Sequence, residues 1–237
     1  MVSWGTTANV SVPLDAAPDP VPAGLLVTRA AGNGWLLEGG LAAAGSLLDW
    51  LAGVTGVAVD DLVARAGGRP PGAAGVIAVP WLGGARAPWW REGAGAAFLG
   101  LGPAHDAGDL ARAALEAVAW DVVRCIEAAG VRPSALVLAS GSGIGPWVAV
   151  VTAVTGLHAT RRACADAASV GAALIASDAT GAGLERDAIN PVVDTVAPPP
   201  ESVDRYRQLR PVSDVAARAA LDVAASVPGE QRFTVSG

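Results

Sequence analysis

An α/β layered fold, with strands and helices alternating around one core, is what this sequence predicts. Three observations point to it: short Val- and Thr-rich segments that stop at glycines, amphipathic stretches with a 3.6-residue period, and a long uncharged run broken by glycines. At 237 residues the chain can bury a substantial core, and one domain over 1–237 is expected.

Residues 2–13, VSWGTTANVSVP, read as two short strands joined at a tight turn around Gly5. The proline-laden segment 15–22 is expected to cross the surface. In 39–51, GGLAAAGSLLDWL, Leu47, Leu48 and Leu51 recur with Ala44 and Trp50 at helical spacing, which predicts a helix with Gly45 inside it. A mid-helix glycine costs about 1 kcal/mol relative to alanine, so close approach by another group is implied. Residues 58–66 predict a second helix stopped by Gly67 and Gly68, and 75–80 a short apolar strand. Over 106–129, Leu110, Ala114, Val118, Val122 and Cys125 share one helical face, with Asp106 as N-cap and Gly130 as stop. Arg112 and Glu116 stand at i and i+4, where a helix-face ion pair contributes about 0.3–0.5 kcal/mol. A buried strand over 135–139, a glycine loop, a helix from about 146 to 155 and another over 167–179 follow. The closing helix, from about 202 to 225, carries Pro211 as its candidate break.

Composition excludes several classes. The apolar fraction of 52% and mean hydropathy of +0.43 raise a membrane reading. The longest uncharged run, Arg132 to Arg161, exceeds the roughly 18 residues of a spanning helix, but its centre SGSGIGP would leave backbone groups unpaired in lipid. Strand, loop and helix are expected there instead. No basic, apolar leader opens the sequence, so a secretory signal is not expected and the cytoplasm follows. Cys125 and Cys164, read as buried reduced thiols, and two histidines give neither a disulfide framework nor zinc spacing. A net charge of -6 argues against nucleic-acid binding. The eight tryptophans are expected mostly in the core.

Two segments carry candidate chemistry. In 136–147, LVLASGSGIGPW, a strand runs into glycines and a helix start, which gathers backbone N–H groups and the positive helix end for an anion or a polar ligand edge. No lysine follows as in a P-loop, Pro146 replaces the third glycine of a dinucleotide fingerprint, and Ser142 lacks the flanking glycines of a nucleophile elbow. The second segment, 80–95, is punctuated by Pro80, Gly83, Gly84 and Pro88 and holds Trp89 and Trp90 beside Arg86, Arg91 and Glu92. It reads either as a surface loop pinned by its tryptophans or as an ordered loop at a cleft. His105, just ahead of the Asp106 cap, is expected to order its loop rather than titrate in catalysis.

From Pro80 onward the residues form a specific string: P-x-L-x-G-x-R-x-P through Pro88, then Trp89-Trp90, Gly95, F-x-G-L over Phe98 to Leu101, His105, and D-L-x-R-A-x-L-E over Asp109 to Glu116. This string resembles the C-terminal domain of the FGGY carbohydrate kinases, and the resemblance extends over about 3–210. Ala85 stands where that family usually has glutamate. The resemblance implies an actin-like ATPase (ribonuclease H-like) fold, a mixed sheet flanked by helices. It also implies the nucleotide-side lobe of a kinase that transfers the γ-phosphate of ATP, with Mg2+, to a sugar or polyol hydroxyl. Ser3-Trp4-Gly5-Thr6-Thr7 is similar to the family's phosphate-contacting turn, which assigns Gly5, Thr6 and Thr7 to phosphate. Gly45 and Asp49, followed by Trp50, match a helix face against the nucleotide. Ser140, Gly141 and Ser142 match the loop that touches adenosine, with Ile144 where a small polar residue is usual and Trp147 and Gly156 keeping the family's spacing.

The family's catalytic aspartate precedes the Gly-Thr turn, so no catalytic residue and no metal ligand is assigned here. The first phosphate loop and most sugar contacts belong to an N-terminal lobe that is expected to be absent. Its place would be taken by a trans lobe or a homodimer, and the isolated chain is expected to be inactive. The alternative is a non-catalytic binding module of the same fold.

Overall fold

The computed structural model describes residues 1–31, 33–140, 145–164 and 166–226. In chain order, β1 (Val2–Trp4), β2 (Ala8–Leu14), β3 (Leu26–Arg29) and β4 (Trp35–Leu41) precede α1 (Gly45–Thr55) and α2 (Val59–Gly67). A two-stranded ribbon, β5 (Ile77–Val79) and β6 (Ala97–Leu99), brackets the tryptophan loop. Then come α3 (Ala107–Ala128), β7 (Ala135–Ser140), α4 (Gly145–Thr155), β8 (His158–Arg162), α5 (Ala167–Thr180), α6 (Arg186–Ile189), β9 (Val192–Val196) and α7 (Pro200–Ser226).

Seven strands make one mixed sheet in the order β3-β4-β2-β1-β7-β8-β9. Its centre is parallel, β1 with β7 and β7 with β8, and antiparallel pairs extend it on both sides. Val2, Trp4, Val10, Leu37 and Leu41 from the sheet meet Leu47, Leu48 and Leu51 of α1, Leu115, Val118 and Val122 of α3, and Val150 and Val151 of α4. Burying each such aliphatic side chain contributes roughly 1.5–3 kcal/mol, which makes this layer the main source of cohesion.

The predicted strand–turn–strand over 2–13, the helix after residue 57, the capped α3 and the closing helix are all present. At α3 the Asp106 carboxylate accepts from Gly108 N at 2.8 Å and Asp109 N at 3.4 Å, while Asp109 Oδ2 accepts from Asp106 N at 3.0 Å. This reciprocal box satisfies amides the helix cannot pair internally.

Several expectations are corrected. The helix expected over 39–51 begins only at Gly45, because Trp35–Leu41 is strand β4 between β2 and β3. Gly39 belongs in that strand for a packing reason: a Cβ there would lie 2.7 Å from Cys125 Sγ, so the glycine lets α3 approach the sheet. Arg112 and Glu116 do pair, at 2.7 Å, but in the interior rather than on the surface. Tyr206 O–H and Gly72 N donate to the same Glu116 oxygen, which ties α3 to α7. Burial pushes the Glu116 carboxyl up, against the pull of Arg112. Cys125 is buried, with burial raising its thiol, whereas Cys164 is exposed. Four tryptophans, at 4, 81, 120 and 147, are buried; Trp50 and Trp90 are exposed.

Pro211 does not end α7. Arg210 on one side of it pairs with Glu127 at 2.7 Å, and Ser213 and Asp214 on the other side accept from Arg124 at 2.8 and 3.0 Å. Both flanks are thus tied to α3, which offsets the hydrogen bond the proline removes.

Candidate functional site

The C-terminal ends of parallel strands are where open α/β sheets collect ligands. Here Trp4, the last residue of β1, stands in register with Ser140, the last of β7. The 5–7 turn therefore leaves the sheet beside the end of β7. The predicted site residues Gly141 and Ser142 lie outside the described residues, and of Ser140 the backbone alone is described.

The 5–7 turn is built by main chain. Gly5 N donates to Thr7 O at 2.8 Å, which closes the turn. Its carbonyls then receive the start of α1: Gly45 N donates to Gly5 O at 2.9 Å, and Ala44 N and Ser46 N both donate to Thr6 O at 3.1 Å. Amides that begin a helix need such acceptors. Gly45 is the first residue of α1, not its middle, and the close approach expected of it is real: a Cβ at 45 would lie 2.8 Å from Gly5 O. Thr6 and Thr7 are exposed, and among the described residues their hydroxyls have no partner. Asp49, one turn along α1, is also exposed, and its carboxylate has no partner among the described residues. The structure thus brings together Gly5, Thr6, Thr7 and Gly45. Trp147 packs on Trp4 with ring centroids 4.4 Å apart and fixes the start of α4 against the end of β1.

The tryptophan loop lines a cleft of its own, and it is an ordered loop. Trp81 Nε1 donates to buried Asp121 Oδ2 at 2.9 Å, and Arg124 Nη1 donates to the other Asp121 oxygen at 2.9 Å. Ala85 and Arg91 exchange two backbone bonds at 3.0 and 2.9 Å, and Ala87 N donates to Gly40 O of β4 at 3.1 Å. Gly84 adopts φ 93° with Glu92 O only 2.7 Å from where a Cβ would sit, so only glycine lets the loop's two arms close. Trp90 holds φ 49°, a conformation that costs a bulky residue of order 1–3 kcal/mol, and its indole N–H donates to Gly24 O at 2.7 Å. A cleft of about 700 Å³ opens beneath, lined by Asn9, Glu38, Arg86, Trp90 and Glu92. Sequence reading passed over Asn9 and Glu38. The signal lay in β2, where Asn9 and Ser11 alternate with core residues Ala8 and Val10 and so share the opposite face.

His105 orders its loop, as expected: Gly102 N donates to Nδ1 at 2.8 Å and Nε2 lies 3.3 Å from Ala74 O. Among the described residues no cluster of three or more His, Cys, Asp or Glu could hold a metal, and no helix is long and apolar enough to cross a membrane.

A mixed sheet with this strand order, parallel at its centre and flanked by helices, is the α/β architecture of the actin-like class. Solved structures share it. The xylulose kinase of Lactobacillus acidophilus superposes with a TM-score of 0.83 over 95% of this chain and 47% of its own, at 20% identity. The glycerol kinase of Plasmodium falciparum with ADP gives 0.77 over 92% and 46%, at 19% identity. The family model for the C-terminal domain of the FGGY family of carbohydrate kinases matches residues 1–180, and the chain belongs to that family. Xylulose kinase of Klebsiella pneumoniae is 33% identical over 147 residues, which cover 60% of this chain and 30% of that enzyme. The chain spans less than half the length of each of these relatives.

Proposed function

We propose that the chain is the nucleotide-side lobe of an ATP-dependent carbohydrate kinase, which transfers a phosphoryl group to a sugar or polyol hydroxyl together with a second lobe. The observation that carries this reading is the seating of the 5–7 turn on α1 through Gly45. It leaves Thr6 and Thr7 exposed, with no partner for their hydroxyls among the described residues, and such hydroxyls suit phosphate oxygens. ATP fits this surface. Thr6 and Thr7 would hold its phosphates, the α1 face at Gly45 and Asp49 would lie along it, and the loop from Ser140 through Gly141 and Ser142 would meet the adenosine. The nucleotide supplies the phosphoryl group and carries its magnesium on its own phosphates, as Mg2+ usually does in such sites. The chain's contribution is positioning, which dominates phosphoryl transfer. The cleft under Trp90 supplies the sugar-facing wall, where an indole and hydrogen-bonding side chains suit a polyhydroxylated ligand.

Calorimetric titration with ATP and magnesium tests the reading. Saturable binding is expected, and Gly45→Val, which would drive a side chain into the Gly5 carbonyl, is expected to abolish it. An absence of binding by the wild-type chain sinks the reading. No turnover of D-xylulose is expected from the isolated chain, because the resemblance places the proton acceptor ahead of the 5–7 turn and no residue here takes that role.

A further inference from the structure

We infer that the cleft beneath the tryptophan loop selects a neutral polyhydroxylated ligand over a sugar acid, and that Glu92 sets this preference. The inference rests on the sugar-kinase reading above and deepens it by naming the substrate class. Two carboxylates, Glu38 and Glu92, line the cleft against one guanidinium, Arg86. Glu38 is held by neutral donors alone: Asn9 Nδ2 at 3.1 Å and Ser11 Oγ at 3.3 Å on one oxygen, Thr28 Oγ1 at 2.7 Å on the other. Among the described residues no cation pairs with it, so two carboxylates against one guanidinium leave the cleft lining with a negative balance. The Glu92 and Arg86 side chains have no partner among the described residues, so both are available to a ligand.

Each group has a complement in a polyol. A free carboxylate accepts from hydroxyls, a guanidinium donates to them, and the Trp90 ring, 47% exposed, offers a flat face to the carbon skeleton. The left-handed backbone at Trp90 and the Gly84 closure hold that face and the Glu92 arm in place. A sugar acid meets a different balance. Its carboxylate could use Arg86, but it would enter beside two like charges, and neither Glu38 nor Glu92 can donate to it.

NMR titration of the chain with xylitol and, separately, D-gluconate tests this, following the Trp90 indole N–H assigned with Trp90→Phe. Xylitol is expected to give a saturable shift and to bind roughly tenfold more tightly than gluconate, the scale of one hydrogen bond to a charged group. Glu92→Gln is expected to weaken xylitol and strengthen gluconate, erasing the preference, while Arg86→Gln weakens gluconate further. Both side chains are exposed, so folding is not at stake. Equal or tighter gluconate binding, an unchanged ratio in Glu92→Gln, or no Trp90 response to either compound overturns the inference. ATP titration separates the two proposals: a lost preference with ATP binding intact sinks the ligand class alone, and lost ATP binding with a Trp90 response to xylitol sinks the nucleotide reading alone.

Discussion

The 5–7 turn is held by main-chain hydrogen bonds and one glycine contact, whereas the tryptophan loop is held by buried side chains, above all Trp81 on Asp121 and Arg124. The difference teaches where each is vulnerable. A turn whose bonds are all backbone tolerates any side-chain change that leaves its carbonyls in place. A loop anchored on a buried charge depends on that charge, since removing one partner leaves the others desolvated and unpaired.

The largest expected effect is therefore at the buried anchor of the tryptophan loop. Asp121→Ala is expected to lower unfolding free energy by about 3–5 kcal/mol in urea denaturation, because it strands the Trp81 N–H and half of the Arg124 fork in the interior. Gly45→Val should cost less, about 1–3 kcal/mol, as local overpacking against the Gly5 carbonyl. A larger loss in Gly45→Val than in Asp121→Ala would break the comparison.

The smallest effect concerns pH. Burial tends to raise the Asp214 carboxyl, but Arg210 and Arg124 overcome it and leave it below the ordinary carboxylate range. The Gly108 N–H and Arg69 likewise lower Asp106. Groups whose folded pKa is depressed contribute stability that is present above the unfolded value, about 3.9, and is lost as pH falls through the folded one. Thermal stability should thus drop on acidification below about pH 4. Asp214→Asn should destabilise by at most about 1 kcal/mol at neutral pH and flatten that acid slope. A slope unchanged in Asp214→Asn would remove α7's ion pairs from the account of how the loop is braced.

Much of the layer architecture was legible because local signals agreed with the tertiary outcome. The Asp106 cap, the periodic apolar face and Gly130 bound α3 within a residue or two of its observed ends. Strands β3, β4, β6, β8 and β9 were not legible. β8 reads HATRR, with little apolar character, and is a strand because β7 and β9 pair with it on both sides. β4 carries two glycines just before its last residue, Leu41, that look like a helix approach, and the nearness of Cys125 explains why one of them sits in a sheet. For the candidate site, the family resemblance assigned Gly5, Thr6 and Thr7, and helical spacing singled out Gly45. Asn9 and Glu38 were passed over as ligand-facing groups, because residues this far from the tryptophan loop in sequence share a cleft with it only once β2, β4 and the loop are assembled.

The sequence by itself determined the helices with strong caps, the first strand pair, the family string from Pro80 to Glu116 and the need for something close to Gly45. Tertiary structure alone decided that the close neighbour is the Gly5 carbonyl, that Arg112 and Glu116 lie inside, and that α7 passes through Pro211. The physical reason is that caps and periodicity act over a few residues, whereas burial of charge and approach of backbone depend on segments as many as 90 residues apart, as Glu116 and Tyr206 are.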